Sequence, residues 1–527
     1  MNIPSNSAPF NFASWLIEQN AGRLAKTAYI DDQGTLSYGE LFERVRSMGA
    51  AMMALGIRRD ERVLLCMHDC TDWPVVFLGA LYVGIVPVAV NTLLPAEDYA
   101  YMLEHSRAQA VFTSDALVTT LQQAIAQSAN EVHHRIVSGA ADARDSWTSI
   151  ATLLAAQAVG GAPTGPLAPA RVGGDDPGFW LYSSGSTGRP KGAVHSHANL
   201  YWTCELYGKN VLALREDDVC FSAAKLFFAY GLGNALSFPL AAGATVVLLA
   251  GRPTPEAVFS IWQTHRPTVF FGAPTGYAGM LAHPQLPARE HVALRMCSSA
   301  GEALPQDIGE RFRAHFGCHI IDGIGSTEML HVFLSNRPDD VRYGTTGKPV
   351  DGYEIELRDD TGGAVADGEV GDLYIKGASA ALMYWGNRDK SRSTFQGAWT
   401  MSGDKYVRDA QGYYTYSGRS DDMLKVSGQY VSPFEVEATL VQHASVLEAA
   451  VIGVTDAQGL TRAKAFVVLR DGTHATPELA DALKAFVKQR LAPHKYPREL
   501  DFLAELPKTA TGKIQRFRLR AQQAVRP

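Results

Sequence analysis

The sequence is short of paired cysteines, of basic excess and of uninterrupted apolar runs. Its six cysteines (Cys66, Cys70, Cys204, Cys220, Cys297, Cys318) are scattered, and none forms a Cys-x-x-Cys pair. That pattern excludes a dense disulfide framework and points to free thiols in a reducing cytoplasm. Cys66 and Cys70 have the wrong spacing for a zinc knuckle, although His68 lies between them. The formal net charge is -6, so no basic field invites nucleic acid. The N-terminus lacks a basic n-region and a long apolar core, so no signal peptide is expected. Trp73 to Val90 carries no charge over 18 residues, which touches the length of a membrane span. Pro74, Gly79, Gly84 and Pro87 interrupt it, and it divides into a helix over Trp73–Val83 and a strand over Val86–Val90. A buried helix–strand unit is expected there, with no membrane association. Internal repeats and low-complexity tracts are absent.

What remains is ordinary for a large globular enzyme. The chain has 527 residues, 46% hydrophobic and 19% charged, enough for three or four domain-sized units. Short apolar strands (Arg62–Cys66, Val86–Val90, Ala110–Thr113) alternate with helical stretches (Trp73–Val83, Glu97–His105). That rhythm predicts an α/β fold of parallel sheets covered on both faces. It resumes with strands over Ala244–Leu249, Thr268–Phe271 and Leu294–Ser298. Residues 139–174, rich in Ala, Gly and Pro, read as a weakly packed excursion. From about residue 347 short strands and turns predict a β-rich subdomain, to about 419. Residues 420–527 read as a separate α+β domain, with helices over Pro433–Gln442 and Pro477–Leu491. Thr476 is the expected N-cap of the second. The expected division is therefore 1–419 and 420–527.

The segment Tyr182-Ser-Ser-Gly-Ser-Thr-Gly-Arg-Pro-Lys-Gly192 carries the most chemistry. A strand over Gly178–Tyr182 feeds it, and it reads as a loop that cannot be a regular element. Glycines let the backbone approach an anion, and successive N–H groups form an anion-binding concavity. Ser183, Ser184, Ser186 and Thr187 add donors, and Lys191 adds charge. The pattern is a phosphate grip outside the Walker frame, because Pro190 precedes Lys191 where that frame needs a glycine and no Ser/Thr follows it.

Four further clusters follow in order: Ile321-Asp-Gly-Ile-Gly-Ser-Thr-Glu328, Trp399-Thr-Met-Ser-Gly-Asp404, Gly418-Arg-Ser-Asp-Asp-Met-Leu-Lys-Val-Ser-Gly428 and Pro507-Lys-Thr-Ala-Thr-Gly-Lys513. Each alone is a polar turn. Together with the phosphate loop, over nearly the whole chain, they resemble the acyl-adenylate-forming superfamily of acyl- and aryl-CoA ligases, luciferases and adenylation domains. The segments Phe179–Gly188, Ala223–Gly233, Asp322–His331 and Val426–Pro433 look most like those of bacterial benzoate–CoA ligases.

The resemblance implies a large N-terminal domain of stacked α/β sheets with a β-rich subdomain, and a small mobile C-terminal lid. It implies ATP, Mg²⁺ and CoA as cofactor and co-substrates, an aromatic carboxylate as substrate, and no nucleic acid or membrane partner; a homodimer is compatible. Ser183, Ser184, Gly185, Ser186, Thr187, Gly188 and Lys191 would hold the β- and γ-phosphates. Thr327 would bond the α-phosphate, and Glu328 would bind Mg²⁺. Gly301, Glu302, Ala303, Asp322, Gly323 and Ile324 would line the adenine site. Asp404, helped by Arg419, would accept the ribose hydroxyls. Phe228, Ala229, Tyr230, Ala300, Gly325 and His331 would line the acyl pocket, with one of Phe227 and Phe228 in the core and His331 either orienting the carboxylate or packing on the ring. Lys513 would neutralise the reacting pair during adenylation. Asp421 would be the hinge that brings Lys425 and Gly428 in for CoA. Two departures stand out: Ile324 replaces an aromatic found in many relatives, and Gln429 replaces a Glu. The implied activity is benzoate–CoA ligation. Ligases for substituted benzoates or other acids, a carrier-loading adenylation domain and a non-catalytic nucleotide sensor are the alternatives. The sequence holds no Asp-Ser-Leu carrier attachment motif, which favours free CoA.

Overall fold

The structure is a computed structural model that describes residues 9–139, 146–159, 167–185, 188–420, 422–426, 429–455, 461–492, 494–508 and 514–524. It mixes helices with parallel and antiparallel sheets, and it falls into two compact units. The first comprises 1–355 and 375–401, the second 356–374 and 402–527. The boundary expected at 419/420 therefore falls inside the second unit.

Two large sheets dominate the first unit. In the eight-stranded sheet, Arg62–Cys66 lies between Val86–Ala89 and Ala108–Ser114, and all three run parallel. The strand Pro177–Gly185 is parallel to Val86–Ala89, with Val88 opposite Trp180. The charge-free run forms the helix Asp72–Tyr82, buried from Trp73 onward, and then the strand Val86–Ala89. No helix among the described residues is long and apolar enough to cross a membrane. The core of this layer gathers Leu64, Val88, Val111, Trp180 and Val194.

The nine-stranded sheet contains a parallel run of Val219–Ser222, Val269–Gly272, Met296–Ser299 and Ile320–Gly325. Their carboxyl ends share one edge, with Gly272 opposite Ser299 and Ser299 opposite Asp322. Parallel sheets bind ligands at that edge, where loops emerge from buried strands. Ala223–Gly233, Ala300–Ala303 and Ser326–His331 all follow from it.

Two expectations are corrected. The phosphate segment is for the most part regular: Pro177–Gly185 and Gly188–Ser196 form an antiparallel hairpin, with Ser183 opposite Lys191 and Gly185 opposite Gly188. Ladder pairing satisfies the backbone on both sides of the two tip residues, 186 and 187, which lie outside the described residues. The excursion at 139–174 contains a helix, Ile150–Val159, and Trp147 is buried beside it. Ile150 is buried, but residues 151–157 of the helix are half-buried or exposed, so the stretch is regular where a loop was expected and still thinly packed.

In the second unit the helix Pro433–Val441 is capped by Ser432 and the helix Pro477–Arg490 by Thr476. They cover a sheet in which Val446–Thr455 pairs antiparallel with Thr461–Leu469, which pairs parallel with Glu499–Phe502. Val451, Ala465, Val467, Leu483 and Val487 fill the core.

Candidate active site

The strand Gly188–Ser196 alternates its side chains, so Lys191, Ala193 and His195 share one face. The edge strand Met383–Tyr384 pairs with it, placing Tyr384 opposite Ala193 on that same face. Three side chains of this face converge on the turn after Ile320–Gly325. His195 Nε2–H donates to the Thr327 carbonyl at 2.7 Å. The Tyr384 hydroxyl donates to Glu328 Oε1 at 2.6 Å. Lys191 Nζ stands 4.7 Å from the centre of the Tyr384 ring, within cation–π range. The Glu328 carbonyl accepts from Ala381 N at 2.7 Å. The structure thus brings Lys191, Thr327 and Glu328 to one place, and does so through two residues that sequence reasoning missed, His195 and Tyr384. The His195/Asn199 spacing of four was visible in the sequence, but nothing there said that a strand ends between them.

Ser183, across the hairpin from Lys191, has a buried hydroxyl with no partner among the described residues. Buried polar groups are otherwise paired, so this oxygen is suited to a ligand. The tip residues Ser186 and Thr187 are outside the described residues; Ser184, Gly185 and Gly188 lie on the two strands that flank them. Glu328 offers a hard oxygen ligand. Among the described residues no group of three His, Cys, Asp or Glu gathers to hold a metal. That donor set fits Mg²⁺, which is commonly bound through one or two carboxylates, substrate phosphates and water.

The turn itself is tightly wound. Leu330 has φ +65, a left-handed conformation that is costly for a leucine. A Cβ at Gly325 would stand 2.6 Å from the His331 carbonyl, so only glycine fits.

The acyl-pocket candidates also meet. His331 is buried, with ring centres at 4.5 Å from Phe238, 5.2 Å from Tyr207 and 5.4 Å from Tyr230. Tyr230 OH donates to Ser298 Oγ at 3.0 Å, which holds its ring beside the strand Met296–Ser299. Phe227 is core and Phe228 is half-buried. Ala229 opens the short helix Ala229–Leu232, and Ala300 is buried just past Ser299. Desolvation pulls the His331 pKa down to about 3, so the ring is neutral at physiological pH. Its Nε2–H donates to the Tyr230 carbonyl at 3.3 Å, and its Nδ1 has no partner among the described residues. An acceptor nitrogen repels a carboxylate, so this histidine suits packing against a ring and not orienting the acid.

For the adenine set, Gly301 (φ +92) turns the chain after Met296–Ser299. Glu302 accepts from the Thr275 hydroxyl at 2.7 Å, and Ala303 follows. Asp322 and Gly323 lie on the neighbouring strand, with Ile324 half-buried beyond them. Burial pushes the Asp322 carboxyl up to about 8.

In the second unit, Asp404 and Arg419 pair across two strands, Oδ1 to Nη1 at 3.2 Å. Lys425 lies on the strand Leu424–Val426. Asp421, Gly428 and Lys513 lie outside the described residues. The residue after the expected hinge, Asp422, is described, and it pairs with Arg516 at 3.5 Å and with Arg520. Arg516 also binds the buried Glu437 in a two-pronged pair at 2.8 and 2.7 Å.

Comparison with known proteins shows the family. Residues 16–385 match the AMP-binding enzyme family and 435–513 the AMP-binding enzyme C-terminal domain. The chain is 53% identical to a benzoate–CoA ligase of Thauera aromatica over 97% of this chain and 96% of that protein. It is 47% identical to a 4-hydroxybenzoate–CoA/benzoate–CoA ligase of Rhodopseudomonas palustris, over 97% and 94%. Among solved structures it superposes on a benzoate CoA ligase from Burkholderia xenovorans with TM-score 0.89 and 59% identity, covering 97% of this chain and 100% of the other. An anthranilate CoA ligase in complex with anthranoyl-AMP gives TM-score 0.92 and 40% identity, over 100% and 99%. With its hairpin, its Thr327–Glu328 turn and these matches along nearly its full length, the chain belongs to the AMP-binding enzyme family.

Proposed function

We propose that the chain is an ATP-dependent benzoate–CoA ligase that works in two steps. A carboxylate and ATP repel each other, and a carboxylate acylates poorly. Attack of its oxygen on the α-phosphorus gives benzoyl-AMP and releases pyrophosphate. The sulfur of CoA then attacks the acyl carbon, AMP leaves, and the thiol proton is released. Positioning and charge neutralisation supply the catalysis, and no side chain needs to be acylated.

In this reading Ser183–Lys191 hold the β- and γ-phosphates and Thr327 bonds the α-phosphate. Mg²⁺ on Glu328 would spread the phosphate charge. Asp404 and Arg419 take the ribose, and the 301–303 and 322–324 segments take the adenine. Lys513 neutralises the reacting pair, Asp421 is the hinge, and Lys425 with Gly428 serves CoA. The movable part is 420–527. Six free cysteines, five of them buried, support a reducing, cytoplasmic setting.

The observation that carries the choice of acid is the ring box around His331. Neutral and walled by Tyr207, Tyr230 and Phe238, it presents aromatic faces and edges to a flat ring. A panel of carboxylates scored by kcat/KM tests it, since discrimination lies in that ratio. Benzoate is expected at the top, with hydroxy- and aminobenzoates below it. A medium-chain acid at the top overturns the ring reading. No pyrophosphate release with any acid makes the chain a nucleotide sensor.

A further inference from the structure

The Thr327–Glu328 turn is built at the end of a sheet strand, yet its position is fixed from the opposite sheet. His195 is the link. It is wholly buried, and its ring stacks on Phe179 at 5.2 Å with planes 17° apart. Its Nδ1 accepts from Asn199 Nδ2 at 2.9 Å. That leaves the proton on Nε2, which donates to the Thr327 carbonyl at 2.7 Å. The same carbonyl also accepts from Leu330 N at 3.2 Å, so both its lone pairs are used. Asn199 spends its second amide hydrogen on the Ala380 carbonyl at 3.1 Å, and its own oxygen accepts from Ser196 Oγ at 2.9 Å. Asn199 is thus fully committed, and the imidazole has one tautomer and one orientation. Ala381 then holds the Glu328 carbonyl from the other side.

His195 and Lys191 belong to one face of one strand, four residues apart. A span of four extended residues is a fixed ruler of roughly 13 Å. One end carries the charge that meets the departing phosphates, and the other end holds the turn that meets the α-phosphate. We propose that the buried pair His195–Asn199 is a positioning device for adenylation, locking the Thr327–Glu328 turn in register with the phosphate hairpin. The inference rests on the reading of Thr327 and Glu328 given above. It adds that the α-phosphate contact is set by a residue that never touches substrate.

The device matters for the step in which phosphates are gripped at both ends. It matters less once pyrophosphate has left and only AMP is bound. Misplacement of such a group by about 1 Å costs on the order of 100-fold. His195→Phe keeps the stack on Phe179 and removes the donor. His195→Gln keeps a side-chain amide donor. The two half-reactions are measured apart, adenylation by ATP–pyrophosphate exchange and thioesterification from supplied benzoyl-AMP and CoA. Binding of Mg²⁺–ATP is measured by calorimetry.

For His195→Phe the expected result is a fall of roughly 10- to 100-fold in the kcat of exchange. The benzoate KM stays close to wild type, thioesterification stays within about threefold, and Mg²⁺–ATP binds more weakly. His195→Gln recovers most of the exchange rate. Equal losses in both half-reactions, tracking a fall in Tm, make His195 a packing residue and overturn the proposal, as does an unchanged exchange rate. If His195→Phe does not fold, Asn199→Ala is scored on the same two half-reactions, because it frees the tautomer and leaves the ring. Thr327→Ala is run beside them. If it leaves exchange intact, the underlying site reading fails; if only the His195 and Asn199 variants are silent, the positioning proposal fails alone.

Discussion

At the scale of single residues, the site depends on where charge is kept and where it is suppressed. Lys513 is the residue expected to neutralise the carboxylate as it meets the α-phosphate. Lys513→Ala is expected to lower adenylation by roughly 100- to 1000-fold while thioesterification from supplied benzoyl-AMP stays within about threefold. Equal loss of both half-reactions removes the assignment. Asp322 shows the opposite device, a carboxyl kept neutral by burial, with its pKa pushed up to about 8. A group whose folded pKa is raised gives stability that is full below the unfolded value and is lost as pH rises through the folded one. Asp322 therefore makes the protein less stable between about pH 4 and 8. His195 and His197, pulled down to about 4, and His331, to about 3, act the other way: they cost stability as pH falls below 6.5. From pH 6.5 to 8 these histidines add no slope. Asp322→Asn, which is neutral at every pH, is expected to flatten the fall of Tm across that window. A wild-type slope retained in the variant shows that the carboxyl is ionised in the fold.

At the scale of elements, the close approaches decide what can change. A Cβ at Gly233 would stand 2.4 Å from the His331 ring. The ring is hemmed in by Tyr207, Tyr230 and Phe238 and has nowhere to retreat. Gly233→Ala is expected to raise the benzoate KM about tenfold and leave the ATP KM unchanged; a matched rise in both places the damage elsewhere. Most elements were legible because their physics is local. The helix Pro477–Arg490 announces itself with Thr476 and Pro477, and Leu483 and Val487 are buried as the helical period requires. The strand Ile320–Gly325 ends in glycines, as its tight turn demands. Less was legible at the site, because the turn is held by partners distant in sequence. Nothing local links His195 to residue 327, or Tyr384 to residue 328. The phosphate hairpin escaped notice for a related reason: its Gly, Ser and Pro content reads as loop, while ladder pairing across Ser183 and Lys191 makes it strand. Gly233–Ser237, a π-helical turn beside His331, carries no sequence signal of that geometry.

At the scale of the whole molecule, one active site has to serve two reactions with different needs. Adenylation wants a cation over crowded phosphates, and thioesterification wants room for a thiol. The hinge proposed for the change between them lies in the second compact unit. Beside residue 421, Asp422 is pinned by Arg516 and Arg520 to the helix Arg516–Ala524. Arg516 is anchored in turn on Glu437, buried at the helix Pro433–Val441. This network ties Asp422 to the helices on either side of the sheet, and the hinge proposed at Asp421 is the residue just before it. Asp421→Pro tests that placement, because proline fixes φ near -65° and removes a backbone donor. If adenylation uses the state that proline allows, exchange is expected within about threefold of wild type. Thioesterification is expected to fall by at least about tenfold, because the second state needs a φ that proline denies. Equal losses place the pivot elsewhere in the chain. Loss of adenylation alone means that proline traps the other state, which keeps the hinge and reverses the order assigned to its two conformations.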